Sequence, residues 1–151
     1  MTEITAHPFS FSKKEHLCSK RIIDTLFDGG SKSFSAYPLR AVFRPLPTEC
    51  DECLVSVLIS VSKKHFKRAV HRNRVKRQVR ESYRKNKHLL YDMLKCTPQA
   101  PRHLALAFLW QADDLKNTAA IEVKMQNLLQ RISESIAKQY EQHETIVEST
   151  E

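Results

Sequence analysis

Leu54-Val55-Ser56-Val57-Leu58-Ile59-Ser60-Val61-Ser62 runs directly into Lys63-Lys64 and on to Arg68-Ala69-Val70-His71-Arg72-Asn73-Arg74-Val75-Lys76-Arg77-Gln78-Val79-Arg80-Glu81. The first part is β-branched and nearly continuous in apolar character, which predicts a central, buried strand. The second part changes period. At 100° per residue, Lys76, Arg80 and Arg84 fall at about 40°, 80° and 120° from Arg72, while Val75, Val79, Ser82 and Tyr83 gather on one seam. A helix with a narrow apolar seam and a broad cationic face follows.

The rest of the chain supplies what such a pair packs against. Leu17, Ile22, Ile23, Leu26 and Phe27 form a helical stripe that stops at Gly29-Gly30, the only two glycines present. Ser12-x-x-Glu15 is a candidate capping box and Ser19 a second candidate cap, so a helix is expected over about residues 19–28. Tyr37 to Arg44 reads as a strand with Pro38 near its start, and a short extra strand fits near Phe34–Ala36. Residues 45–52 form a loop. Leu89, Leu90, Met93 and Leu94 extend the packing of the basic helix until Pro98 and Pro101 end it. His103 to Trp110 is a further buried strand. From about Asn117, Ile121, Met125, Leu128, Leu129, Ile132 and Ile136 keep helical spacing. The order α-β-β-(β)-α-β-α, without internal repeats, is an α+β fold: a small mixed sheet packed with helices. Residues 1–10 are expected to be a flexible tail, 11–138 one α+β domain, and 139–151 an acidic tail.

Charge is distributed unevenly. The 151 residues carry a formal net charge of +8, yet Lys63 to Lys87 alone hold twelve basic residues and one acid, a local +11. The remainder is net −3. Solvated helix faces usually mix both signs. A run this one-sided repels itself unless a polyanion offsets it, which points to nucleic acid. Arginine offers a planar fork matched to phosphate, and Asn73 adds a donor and an acceptor for a base edge or a 2′-hydroxyl. Composition alone does not separate DNA from RNA.

Other classes find little support. No apolar run approaches the roughly 20 residues of a membrane span, and the N-terminus lacks a secretory h-region, so a cytoplasmic protein is expected. Two glycines leave no room for a GxGxxG or Walker loop. Cys18, Cys50, Cys53 and Cys96 are irregularly spaced, and Cys50-Asp51-Glu52-Cys53 is a lone CxxC with no second ligand pair. His65 and His71 lie in the basic segment, where facing RNA or solvent is the simpler role. No metal site is expected.

Val61-Ser62-Lys63-Lys64 followed by Arg68-Ala69-x-x-Arg72-Asn73-Arg74-x-Lys76-Arg77-x-x-Arg80-Glu81 resembles the protein subunit of bacterial ribonuclease P. Leu17…Ile23…Leu26-Phe27…Gly30…Ser33-Phe34 resembles that family's first helix and entry to the sheet, and the likeness covers roughly residues 11–138. The resemblance implies a left-handed βαβ crossover, against the usual hand. It also implies a protein with no catalytic residues, acting as one subunit of a tRNA 5′-maturing endoribonuclease. A large RNA subunit, holding most of the Mg²⁺, would remove the 5′ leader of precursor tRNA, with one protein copy per RNA. Carried over by position, the RNA-docking residues are Lys64, Arg68, Arg72, Asn73, Arg74, Lys76, Arg77 and Arg80. The leader cleft would take Ile23 and Phe27 from the first helix and Leu39, Ala41 and Phe43 from the strand. Ile23 stands where the family often has an aromatic, and Lys67-Arg68 where many members have Gly-Asn.

Two other functions compete. A self-sufficient nuclease needs several carboxylates converging on metal, and Asp51-Glu52 and Asp113-Asp114 are only local pairs. Glu81, the lone acid of the basic run, suits an i,i+3 or i,i−4 pair with Arg84 or Arg77 better than catalysis. The alternative is a structural RNA-binding protein of ribosomal type, with no role in processing.

Overall fold

Four strands, β1 (Lys32–Ala36), β2 (Leu39–Leu46), β3 (Val55–Ser60) and β4 (His103–Trp110), form one sheet in the order β1-β2-β4-β3. The computed structural model describes residues 16–17, 19–46, 55–96 and 103–149. β1 pairs antiparallel with β2 and β2 with β4, whereas β3 runs parallel to β4. The helices are α1 (Lys20–Leu26), α2 (Ala69–Asn86), α3 (His88–Cys96) and α4 (Thr118–Ser149). The fold is the expected α+β mixture.

Three details differ from the sequence reading. The short extra strand is present as expected, as β1, but Tyr37-Pro38, joined by a cis peptide, forms the turn before β2 rather than its first residues. Pro45 sits inside β2, beyond Phe43, the last residue that β1 pairs, so its missing N–H falls where that side of β2 is open. The third concerns β3, which is an edge strand. Its continuous apolar run reflects burial of both faces, not a central place: Val55 and Val57 join the core under α2 and α4, while Leu58 packs on the opposite cluster. The exposed edge is partly closed, since Leu17 N donates to Val57 O at 2.8 Å.

The sheet has a helix layer on each face. On one, Leu39, Ala41, Phe43, Val57, Leu104, Leu106 and Phe108 meet Val75, Val79 and Tyr83 of α2 and Ile121, Met125, Leu128 and Leu129 of α4. On the other, Val42, Ala105 and Ala107 meet Leu17 and Leu26. The seam predicted for α2 is the buried one, and Asn86 continues it, donating to Ser82 O and accepting from Gln126. Leu90 and Leu94 reach the core from the separate helix α3 rather than from a longer α2. α4 continues to Ser149, through the stretch whose composition reads as an acidic tail. The candidate capping box at Ser12, the CxxC and its acids, and Pro98 and Pro101 lie outside the described residues.

Candidate nucleic-acid interface

α2 follows the loop after β3, with Arg68 as an N-cap whose side chain makes no capping bond. Its packed seam turns the remaining circumference to solvent. Arg68, Asn73, Arg74, Arg77 and Arg80 are exposed and Lys76 is half-buried. Lys76, Arg80, Asn73, Arg84 and Arg77 share about 100° of the surface, and the rise from Arg68 to Arg84 is about 24 Å. That length follows a phosphate backbone over several nucleotides. Lys63, Lys64 and Lys67, all exposed, extend the charge into the preceding loop.

Glu81, Arg84 and Arg72 of this surface have internal partners. Glu81 pairs with Arg84, one of the two partners proposed from spacing, through a short bond to Nη2 and one of 3.2 Å to Nε. The Arg84 guanidinium holds the Glu81 carboxyl below its ordinary range. The single acid of the basic run is therefore occupied. Arg72 is half-buried, and its Nη1 donates to Phe66 O at 2.8 Å and Lys67 O at 2.9 Å.

The second region lies on the other face of the sheet. Ser19 caps α1, its Oγ accepting from Ile22 N at 3.5 Å. The helix ends at Phe27, and Gly29 at φ +91 turns the chain toward β1, a backbone state that glycine adopts without strain. Gly30 approaches Arg44 so closely that a Cβ there would lie 2.9 Å from Nη1, the atom that donates to Thr25 O at 3.2 Å. The result is an open cleft of about 180 Å³ lined by Leu26, Phe27, Gly29, Ser31, Ser33, Arg40, Val42 and Leu109. Its floor is apolar, Phe27 stands at the rim with 47% of its surface exposed, and Arg40 Nη2 donates to Ser33 Oγ at 3.3 Å. An aromatic ring, an apolar floor and a guanidinium suit a base and its phosphate.

The strand residues expected in this cleft are elsewhere. Leu39, Ala41 and Phe43 are essentially unexposed and face α2 and α4. Successive side chains alternate across a sheet, so an assignment off by one residue moves the whole set to the opposite face. Val42 and Arg40 occupy the cleft instead. Ile23 does not line it either; it packs, half-buried, against the cluster of Leu17, Leu26 and Val42. Phe27 is the one predicted cleft residue that the structure puts there. Of the missed residues, Arg40 and Val42 have a readable signal in β2: arginine at alternate positions around Val42 marks the face that is not fully buried.

The acids and histidines near the basic helix are used in pairs. His65 Nδ1 lies 2.7 Å from Asp113 Oδ1, and His71 meets the Phe66 ring edge-on at 6.1 Å. Asp114 accepts from Lys116 Nζ at 2.9 Å, which holds its carboxyl below the ordinary range. Among the described residues no group of three or more His, Cys, Asp or Glu side chains could hold a metal ion. Among the same residues no helix is long and apolar enough to cross a membrane.

Comparison with known proteins identifies the family and the fold. A family model described as Ribonuclease P matches residues 11–133. The chain is 44% identical over 128 residues to the ribonuclease P protein component of Porphyromonas gingivalis ATCC 33277, covering 85% of this chain and 90% of that one. It is 34% identical over 110 residues to the same component of Chlorobium phaeobacteroides, covering 69% and 73%. Among solved structures it is similar in fold to the RNase P protein of Thermotoga maritima, with a TM-score of 0.59 at 23% identity over 78% of this chain and 96% of that one. The Staphylococcus aureus RNase P protein gives 0.56 at 18% over 78% and 94%. The family model over residues 11–133 and the 44% identity over 85% of the chain fix the family: the chain belongs to the ribonuclease P protein components.

Proposed function

We propose that this chain binds the catalytic RNA subunit of ribonuclease P through the outer face of α2 and the loop before it. It then holds the 5′ leader of precursor tRNA in the cleft between α1 and β2, promoting removal of the leader. The observation that carries the first half is the exposed row Arg68, Asn73, Arg74, Arg77 and Arg80, with the only acid of the segment tied to Arg84. The second half rests on the cleft, whose Phe27 rim and Arg40 wall suit an unpaired nucleotide. Cleavage chemistry, with the Mg²⁺ it needs, belongs in this reading to the RNA, one protein copy serving each RNA in the cytoplasm. The protein contributes charge and position: it offsets phosphate repulsion between two RNAs and fixes the leader relative to the scissile bond.

The test is to incubate precursor tRNA with the protein alone, with bacterial ribonuclease P RNA alone, and with both at low Mg²⁺. Processing is expected only where the RNA is present, and faster with the protein added. Metal-dependent cleavage by RNA-free protein would overturn the division of labour. No effect of the protein on cleavage, despite tight RNA binding, would leave a structural RNA-binding role.

A further inference from the structure

Four cations precede α2 on a short loop, Lys63, Lys64, Lys67 and Arg68, and all four are exposed. Cations repel one another, so a loop carrying four of them needs something to hold its shape. Local backbone bonds do part of this. His65 N and Phe66 N donate to Ser62 O at 3.1 and 3.4 Å, and Lys64 N donates to Ser62 Oγ at 3.1 Å. Phe66 is buried beneath the loop. The second half of the loop, Phe66 to Arg68, is held from the helix. There the carbonyls of Phe66 and Lys67 both turn toward one nitrogen of Arg72, at 2.8 and 2.9 Å.

This geometry is unlike that of its neighbours on the helix. Arg72 lies in the first turn of α2, where the positive end of the helix dipole disfavours a cation. Two carbonyl oxygens on Nη1 offset that cost, and charge-assisted bonds of this length are the strong kind. The nitrogen that donates to both is not available to phosphate. Arg77 and Arg80, by contrast, lie exposed on the outer face.

We propose that Arg72 is a positioning residue. It clamps the Ser62–Arg68 loop to the first turn of α2, so that Lys63, Lys64, Lys67 and Arg68 form one ordered group continuous with the cationic face. Its contribution to RNA affinity is made through those side chains. The inference rests on the RNA-docking reading of α2 for its binding consequence, but not for the structural clamp, and the two are measured separately.

Amide hydrogen exchange on the free protein tests the clamp. Arg72→Ala should accelerate exchange within residues 62–68 by about tenfold, the loss of one charge-assisted bond, whereas Arg77→Ala should leave those amides unchanged. Binding to ribonuclease P RNA tests the consequence. Arg72→Ala should weaken it by about tenfold. Lys67→Ala and Arg68→Ala should each cost at least about twofold less in the Arg72→Ala background than in the wild type, because independent sites add to within about twofold. Arg77→Ala combined with either should be additive. Arg72→Lys keeps the charge on a side chain that ends one bond short of Nη1, and serves where the alanine variant melts too low to use; it should follow Arg72→Ala in both measurements. Unchanged exchange in residues 62–68 would overturn the clamp even if RNA binding is lost. Faster exchange with fully additive losses, or wild-type binding by Arg72→Lys, would overturn the positioning role while leaving the docking reading intact. Failure of wild-type protein to bind the RNA would overturn the docking reading, and with it the binding role assigned to Arg72.

Discussion

Phe27 ends an apolar helical stripe, a place where core packing and ligand contact look alike in sequence. Exposure separates them: with 47% of its surface open, the ring gives up only part of what a fully buried phenylalanine does on truncation. Phe27→Ala should therefore lower the melting temperature less than Phe43→Ala. If a leader base stacks on the ring, the change should cost about 1–3 kcal/mol of binding. That corresponds to roughly 5- to 150-fold weaker binding of precursor tRNA to the holoenzyme. Mature tRNA, which lacks the leader, should bind as before. Equal losses for both ligands would remove Phe27 from the leader site. Glu81 shows the opposite relation between pattern and structure. Its spacing narrowed the partner to Arg77 or Arg84, and the structure pairs it with Arg84. Because Arg84 lowers the Glu81 carboxyl pKa, the pair contributes above the ordinary carboxylate range and is lost as pH falls through the lowered value.

At the scale of elements, β2 decides which residues belong to the core and which to the cleft. Phe43 is buried among the residues under α2 and α4, and its ring lies 5.7 Å from that of Phe34. Phe43→Ala should cost about 3–5 kcal/mol of stability, read by denaturant unfolding, and should weaken precursor and mature tRNA binding alike. A loss confined to precursor tRNA would return Phe43 to the cleft and reverse the register described above. The helices were readable because their signals repeat over many residues. The seam Val75, Val79, Ser82 and Tyr83 and the stripe from Ile121 to Ile136 each recur over several turns, so one misplaced residue does not change the face. A strand has only two faces, and its parity hangs on a single turn. Reading Tyr37-Pro38 as strand rather than turn detached β2 from that marker, and a resemblance without register could not restore it. The edge position of β3 was hidden for a different reason: hydrophobicity records how many faces are covered, not which strand lies alongside.

The whole molecule places its two proposed RNA contacts on opposite sides of one sheet. α2 packs on the face that carries Leu39, Ala41 and Phe43, while α1 and the cleft lie over Val42, Ala105 and Ala107. Between them stands a sheet whose β4 is buried along almost its entire length, and the exposed face of α2 and the cleft share no residue. The contacts should then act independently. Arg77→Ala removes one exposed cation from the α2 face, so it should weaken binding to the RNA subunit. It should also reduce the slope of log K against log[salt] by about 0.7–0.9 if Arg77 meets one phosphate. The preference of the assembled enzyme for precursor over mature tRNA should not change. Phe27→Ala should do the reverse, lowering that preference and leaving the affinity between the two subunits intact. The double variant should show the sum of the two losses to within about 0.3–0.5 kcal/mol, the agreement expected of distant sites that share no partner. A larger departure, measured as a double-mutant cycle on precursor tRNA binding, would mean that the leader and the RNA subunit meet on a shared surface, and the assignment of the two faces to two RNAs would fail.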